Sequence, residues 1–397
     1  MNIAFVTPYI PYPPDTGGKI RTFYLLKALS RNHPADLYTV YSKTRPEYGT
    51  VLAQVCRSIR LVELKKETDS HSPLIRSVLN PLPRLIEYFH APNAVSEVRQ
   101  LLQEGHYDLL VLDEICMAPY LMEVQGPKLV IRHKIDHLHY REIASAQPLD
   151  MEKVVSCLEV RKLRKYEHHT MSAFNAAVCC SVEDAEHLNQ LNPEIPVCVI
   201  GNGVDLDYFT PLEEVAGPPT LLYTGTMHYY PNIDAVQYFF QEIYPHLVRL
   251  VPEVQILIVG HGPPAEVLQW QRLPGVKITG SVLDIRPYLA GCTATIVPLR
   301  LGGGTRLKIM ESIAAGRPVV STSVGAQGLG MRHGEHLLVA DEPVEFARQS
   351  AQLLMDGDLR RRLVAQARPF VATHFSWESL GERFETLCCE VSEKGTL

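Results

Sequence analysis

Short apolar runs alternate along the chain with stretches of helical period. Residues 2–7 are apolar without alternation, as in a parallel strand covered on both faces. A proline-rich loop, 8–14, cannot be helix. Gly17 and Gly18 follow, then a segment over 19–30 in which Ile20, Phe23, Leu26 and Leu29 recur at helical spacing. Further strands are predicted at 36–41, 59–64, 109–112, 128–132 and 176–180, with a long helix over 151–173 and a capping box at Ser181 to Asp184. Residues 70–93 carry Pro73, Pro81, Pro83 and Pro92 and give no assignment.

Around 200–219 the pattern breaks into glycines and prolines with no period, and a domain linker is predicted there. The alternation then restarts. Strands are predicted at 221–224, 255–259, 276–279, 294–297 and 318–321. After a loop over 225–232, a helix is predicted to about Leu250, with others over 285–290, 305–315, 343–355 and 358–373, and a last one from Trp377 to about Val391 capped by Ser376. Strand–helix alternation in both halves predicts an α/β protein with two doubly wound parallel sheets and a ligand cleft between them.

Candidate chemistry concentrates at Gly302, Gly303 and Gly304, between a buried strand and the predicted helix 305–315. Glycines let backbone N–H groups approach a ligand, and a helix N-terminus adds free donors and partial positive charge, a combination suited to phosphate. Arg306 and Lys308 fall in the first predicted turn, where cations oppose the helix dipole by roughly 0.3–1 kcal/mol each. That placement points to an anion such as a diphosphate. Glu311, three residues after Lys308, shares its face. Gly17 and Gly18 repeat the strand, glycine, helix arrangement in the first half. Polar residues beyond the predicted strands 109–112 and 128–132, namely Asp113, Glu114, His133, Asp136 and His137, occupy positions where open α/β sheets build sites.

Composition narrows the function classes. The 397-residue chain has net charge −6, and residues 1–200 carry 22 Lys and Arg against 23 Asp and Glu, so neither half is basic enough for nucleic acid. Nine cysteines, without CxxC spacing, read as reduced thiols in a cytoplasmic protein. No apolar run approaches membrane-spanning length and the start reads as a strand, not a signal peptide. The charged segment 161–169 leaves room for peripheral contact with anionic lipid. Asp205 and Asp207 match a DxD metal-binding string, but they lie in the predicted linker, and no metal site is expected.

Several motifs coincide in order and spacing. Asn202, Gly203, Val204 and Asp205 with Phe209, the turn from Val259 to Pro263, and Gly303 to Gly316 followed by Pro318, Val319 and Val320 resemble the GT-B-fold retaining glycosyltransferases of the glycosyltransferase 4 family. The GGGTR-x-K form also resembles bacterial sugar transferases found with exopolysaccharide assembly.

The resemblance implies two Rossmann-like domains facing an interdomain cleft. Residues 1–200 would be the acceptor side, 201–219 the linker, 220–375 the nucleotide-sugar donor side, and 376–397 a helix returning to the first domain. It implies donor contacts at Gly17, Gly18, Gly225, Gly303, Gly304, Thr305 and Glu311, with Glu311 on the ribose. His133 would match the family's active-site histidine, with Asp136 and His137 on the acceptor side. Two departures stand out. Gly303 occupies the position of the family's first Glu, and the loop 225–232 lacks the family's Arg and Lys, whose charge Arg306 and Lys308 would supply.

The implied activity is transfer of a sugar, from a UDP-sugar first and a GDP-sugar next, to a glycan, lipid-linked or small-molecule acceptor, without a cofactor or metal. Arg306 and Lys308 would stabilise the departing diphosphate. A nucleotide-sugar epimerase and a non-catalytic nucleotide-sugar-binding protein are the alternatives.

Overall fold

The computed structural model describes residues 1–42, 45–65, 80–146, 151–213, 217–227, 229–302 and 306–394. The continuous apolar runs become strands buried along their length: β1 (Ile3–Thr7) and β4 (Leu109–Asp113) bury every residue, as parallel strands sandwiched between helices must.

The chain divides into two units. The first contains Met1–Gly201 and Leu380–Leu397. Its strands are β1, β2 (Ala35–Tyr41), β3 (Ser58–Glu63), β4, β5 (Lys128–Arg132), β6 (Ala176–Cys179) and β7 (Val197–Val199). They form a seven-stranded parallel sheet in the order β3-β2-β1-β4-β5-β6-β7. The second unit, Asn202–Ser379, contains β8 (Thr220–Thr224), β9 (Gln255–Val259), β10 (Val276–Ile278), β11 (Ala294–Val297), β12 (Val319–Ser321) and β13 (Leu338–Val339). Its parallel order is β10-β9-β8-β11-β12-β13. Both are doubly wound Rossmann-like sheets. In each, strand order reverses direction once, between β1 and β4 and between β8 and β11. Open α/β sheets bind ligands at the carboxyl ends of strands flanking such a reversal, so the topology selects the loops after β1, β4, β8 and β11.

The final helix, Trp377–Lys394, carries most of its length into the first unit. Phe384, Cys388 and Val391 are fully buried there, Arg383 Nη2 donates to Val199 O at 3.0 Å, and Ser392 Oγ donates to Asp108 O at 3.2 Å. A side chain at Gly381 would clash with Ala28.

Several expectations change. The stretch predicted as a linker packs on the second unit: Val204 and Phe209 join its core, and Arg317 Nη2 donates to Glu213 O at 2.8 Å. Asp205 is a turn cap whose Oδ1 accepts from the amides of Asp207 (2.9 Å) and Tyr208 (3.0 Å). No group of metal-capable side chains forms among the described residues. The helix beginning near Asn232 runs from Tyr230 to Leu250 through a π segment, Phe239–Ile243, just ahead of Pro245, which has no amide proton for a regular turn. Asp136 and His137 open a helix, Asp136–Ala146, where strand-end loop residues were expected. The helix Pro92–Glu104 begins inside the unassigned proline-bearing stretch and buries Ala94, Val95, Val98 and Leu102.

Candidate functional site

At the second unit's strand-order reversal, glycines first make room. A Cβ on Gly260, just past β9, would clash outright with the Gly225 carbonyl oxygen just past β8. The two strand ends close on each other, with Gly225 N donating to Val259 O at 3.0 Å and Met227 N to His261 O at 2.7 Å. A Cβ on Gly225 would meet the Asn232 amide at 2.9 Å. Gly225, expected at the donor, thus frees the space that Asn232 fills.

Asn232 joins this strand end to the helix Leu307–Ala314. Its Nδ2 donates to Thr226 O at 2.9 Å, which fixes the amide and leaves Oδ1 as an acceptor. Oδ1 accepts from the Tyr223 hydroxyl at 2.8 Å and from Lys308 Nζ at 3.0 Å. The same ammonium stands 4.2 Å from the centroid of the Tyr223 ring, a cation–π arrangement. Lys308 lies in the first turn of the helix Leu307–Ala314. Burial pushes its pKa down to about 7, Arg306 pushes the same way, and Glu311 opposes both. Its side-chain partners are neutral, and no carboxylate lies within ion-pair distance of it among the described residues.

Arg306 stands one position earlier than the sequence suggested. It is the residue at the helix boundary, with φ −84° and ψ 75°, and offers the helix no capping side chain. It is buried, and its Nη2 donates to Gly302 O at 2.7 Å. Gly302 needs its glycine: φ is +108°, and a Cβ would sit 3.4 Å from Pro231. Gly302 is therefore packed against the start of the helix Tyr230–Tyr238. Gly303, Gly304 and Thr305, expected at the donor, lie outside the described residues. Glu311 is raised to about 7 by burial, with Lys308 opposing, and its carboxyl receives no protein hydrogen bond among the described residues. Arg306, Lys308 and Glu311 are thus collected beside a helix N-terminus, where cations and free amides suit a diphosphate.

At the first unit's reversal Gly17 and Gly18 open the helix Gly17–Leu29. A Cβ on Gly17 would meet nothing within 4 Å, whereas one on Gly18 would lie 2.7 Å from the Tyr9 hydroxyl. Thr22 Oγ1, one turn on, donates to Asp113 Oδ2 at 2.8 Å, and His133 Nε2 lies 2.7 Å from Asp113 Oδ1. Burial works against a charged His133, but the carboxylates of Asp113 and Glu114 outweigh it and hold its pKa at about 10. His133 is therefore an imidazolium at neutral pH, a donor and positive charge, not a base.

At the end of β5, Arg132 is completely buried and paired with Glu167 and, at 3.1 Å, with Asp136. Glu167 also binds the His137 ring and accepts from the Asp136 amide at 3.0 Å. Burial would raise Glu167, but Arg132 and His137 bring it down to about 2. Asp136 and His137, expected to face an acceptor, are thus occupied by an internal ion network. Glu167 sits in the charged run 161–169, whose Arg161, Arg164, Lys165, His168 and His169 are exposed.

Between these groups Glu114 directly follows β4 with φ +69° and ψ 137°. A non-glycine residue in that region carries strain of roughly 1–3 kcal/mol. Sequence reading missed Tyr223 and Thr22, which show only as ordinary strand and helix positions, and Asn232, whose signal was its place at the end of a glycine-led loop.

Residues 218–356 match the family described as Glycosyl transferases group 1. In sequence the chain is 31% identical over 193 residues to phosphatidyl-myo-inositol mannosyltransferase of Mycobacterium tuberculosis, a match covering 45% of this chain and 50% of that protein. In structure it resembles sucrose-phosphate synthase from Thermosynechococcus elongatus, with TM-score 0.68 and 17% identity over 98% of this chain and 99% of that one. Anabaena HepE in complex with UDP and glucose gives TM-score 0.64 and 16% identity, over 98% and 99%. The family match and these neighbours support a glycosyltransferase of the GT-B fold. No helix among the described residues is long and apolar enough to cross a membrane.

Proposed function

We propose that the protein is a retaining glycosyltransferase of the family 4 type. It moves a sugar from a nucleoside diphosphate sugar, with UDP-sugars first, to a hydroxyl of a glycan, lipid-linked or small-molecule acceptor in bacterial polysaccharide assembly. The observation that carries this reading is Lys308: a deep-set ammonium held by the neutral Asn232 and Tyr223, beside Arg306, inside the domain that matches the family. As the bond from the sugar to the diphosphate breaks, negative charge grows on the leaving oxygens, and these two cations receive it. Glu311, with no protein donor on its carboxyl among the described residues, takes the ribose hydroxyls. The HepE complex with UDP and glucose supports uridine as the first base to test.

Titration calorimetry with UDP, GDP, ADP and their common sugar conjugates tests the reading. One nucleotide binding clearly more tightly, and more weakly in Arg306→Ala, is the expected result; absence of binding by all of them would overturn it. Transfer is expected to survive EDTA, because the cations do the work of a metal. Loss on chelation with rescue by Mn²⁺ would remove the metal-free mechanism.

A further inference from the structure

Glu114 is the group at the first unit's strand-order reversal that the fold leaves unused. Around it every other charged side chain has a partner: Asp113 holds His133 and Thr22, and Arg132 is matched by Glu167 and Asp136. Glu114 uses its backbone for the sheet, donating its amide to Ile131 O at 3.0 Å. Its carboxyl receives no hydrogen bond among the described residues, and Oε2 is buried without a partner. The residue as a whole keeps partial exposure, so the carboxyl is enclosed on one side and reachable on the other. Left-handed backbone geometry is held at a glutamate, a residue type with no preference for it. Strain of this kind persists where the surrounding structure fixes it, and it gathers at working sites.

We propose that Glu114 is a catalytic residue that binds the attacking hydroxyl of the acceptor, an alcohol of a sugar or polyol. The inference rests on the transferase reading above. The hydroxyl donates its hydrogen bond to the Glu114 carboxylate. As the acceptor oxygen bonds to the sugar's anomeric carbon on the face that the diphosphate leaves, which retains configuration, the bond from that carbon to the diphosphate oxygen breaks. The electron pair leaves with the nucleoside diphosphate, and the hydroxyl proton passes to Glu114. Burial, opposed by His133, raises this carboxyl to about 7, which suits a proton acceptor near neutrality. His133, held as an imidazolium by Asp113, supplies the positive charge that keeps the reactive carboxylate accessible.

Three variants separate chemistry from architecture. Release of nucleoside diphosphate from UDP-glucose, UDP-N-acetylglucosamine and GDP-mannose is measured with octyl β-glucoside as acceptor and with water alone, alongside calorimetric binding of UDP and GDP and thermal unfolding. Glu114→Gln is expected to lower kcat about 100-fold or more, to leave nucleotide affinity unchanged, and to remove the acidic limb of the pH profile near 7. Glu114→Gly is expected to lose the same activity while unfolding at the same or a higher temperature, because glycine relieves the backbone strain. Glu114→Asp is expected to restore the acidic limb with reduced kcat. Glu114→Gln within threefold of wild type, or losing activity only in step with thermal stability, overturns the inference while the transferase reading stands. A wild-type protein that binds nucleotide and releases none from any donor overturns both.

Discussion

The two units hold a buried cation in opposite ways. In the first unit Arg132 is sealed among Glu167, Asp136 and, through Glu167, His137, so each charge is answered by a fixed charge of the protein. In the second, Lys308 is held by an amide oxygen and a tyrosine ring, and Glu311 has no hydrogen-bond donor among the described residues. A cation enclosed by carboxylates is part of the frame. A cation enclosed by neutral groups keeps its field for something arriving from solution. Basic residues in a sequence do not announce which kind they are; their partners do.

That contrast breaks if the two cations respond alike to removal. The largest effect is expected at the second unit. Removing Lys308 and Arg306 together should lower turnover by about 10²–10⁴, and Lys308→Ala or Arg306→Ala alone by about 10–10², as loss of charge-assisted contacts to the leaving group does. The unfolding midpoint should barely move. Turnover within threefold of wild type in both would end the diphosphate assignment. Next comes Arg132→Met, which leaves Glu167 buried beside an apolar side chain. It should cost roughly 3–5 kcal/mol of stability, read from urea unfolding. A loss below about 1 kcal/mol would mean that the network is not part of the frame.

Alkaline titration sharpens the comparison further. His133 is raised to about 10, so its contribution is present below its ordinary 6.5 and is lost as pH rises through 10. Lys308 is lowered to about 7 from 10.5, so its burial penalty is present below 7 and fades as pH rises towards 10.5. Between pH 7 and 10 these two groups therefore push the first unit towards lower stability and the second towards higher. Nucleotide affinity should fall over the same range by up to about tenfold per pH unit as Lys308 loses its proton. Lys308→Arg, charged throughout, should flatten that dependence; an unchanged slope would exclude Lys308 as its source. The smallest effect is expected for Glu311→Gln: about tenfold weaker ribonucleotide binding, with the preference for UDP over its 2′,3′-dideoxy analogue abolished. A preference that persists would reassign the ribose contact.

Much of this arrangement was legible in the sequence. Parallel strands announce themselves as unbroken apolar runs, and β5 and β9 fall where the pattern placed them. Helix entry at Pro343 and the Ser181 cap, which accepts from the Asp184 amide at 3.1 Å, follow from local chemistry. What stayed hidden depends on distant partners. Glu167 looks like one more charge in a basic run because Arg132, which buries it, is 35 residues away. Asp136 and His137 come four and five residues after the end of β5 and read as loop residues, since a strand-end pattern is silent on where the next helix begins. Arg306 read as a first-turn residue because periodicity locates a helix start only to within a residue or two. Asn232 carried no motif. Its role follows from the space left by Gly225 and from the lysine 76 positions later.

The final helix has a consequence for how the chain is made. The first unit needs Phe384, Cys388 and Val391 to close its core, yet the whole of Asn202–Ser379 is synthesised before them. At ribosomal rates of about 5–20 residues per second, the receiving surface beside Ala28 and Val199 waits on the order of ten to forty seconds without its cover. The second unit, contiguous in sequence, is complete as soon as it emerges. Maturation therefore runs out of order: the unit translated second finishes first, and the unit translated first is sealed by a helix made after it.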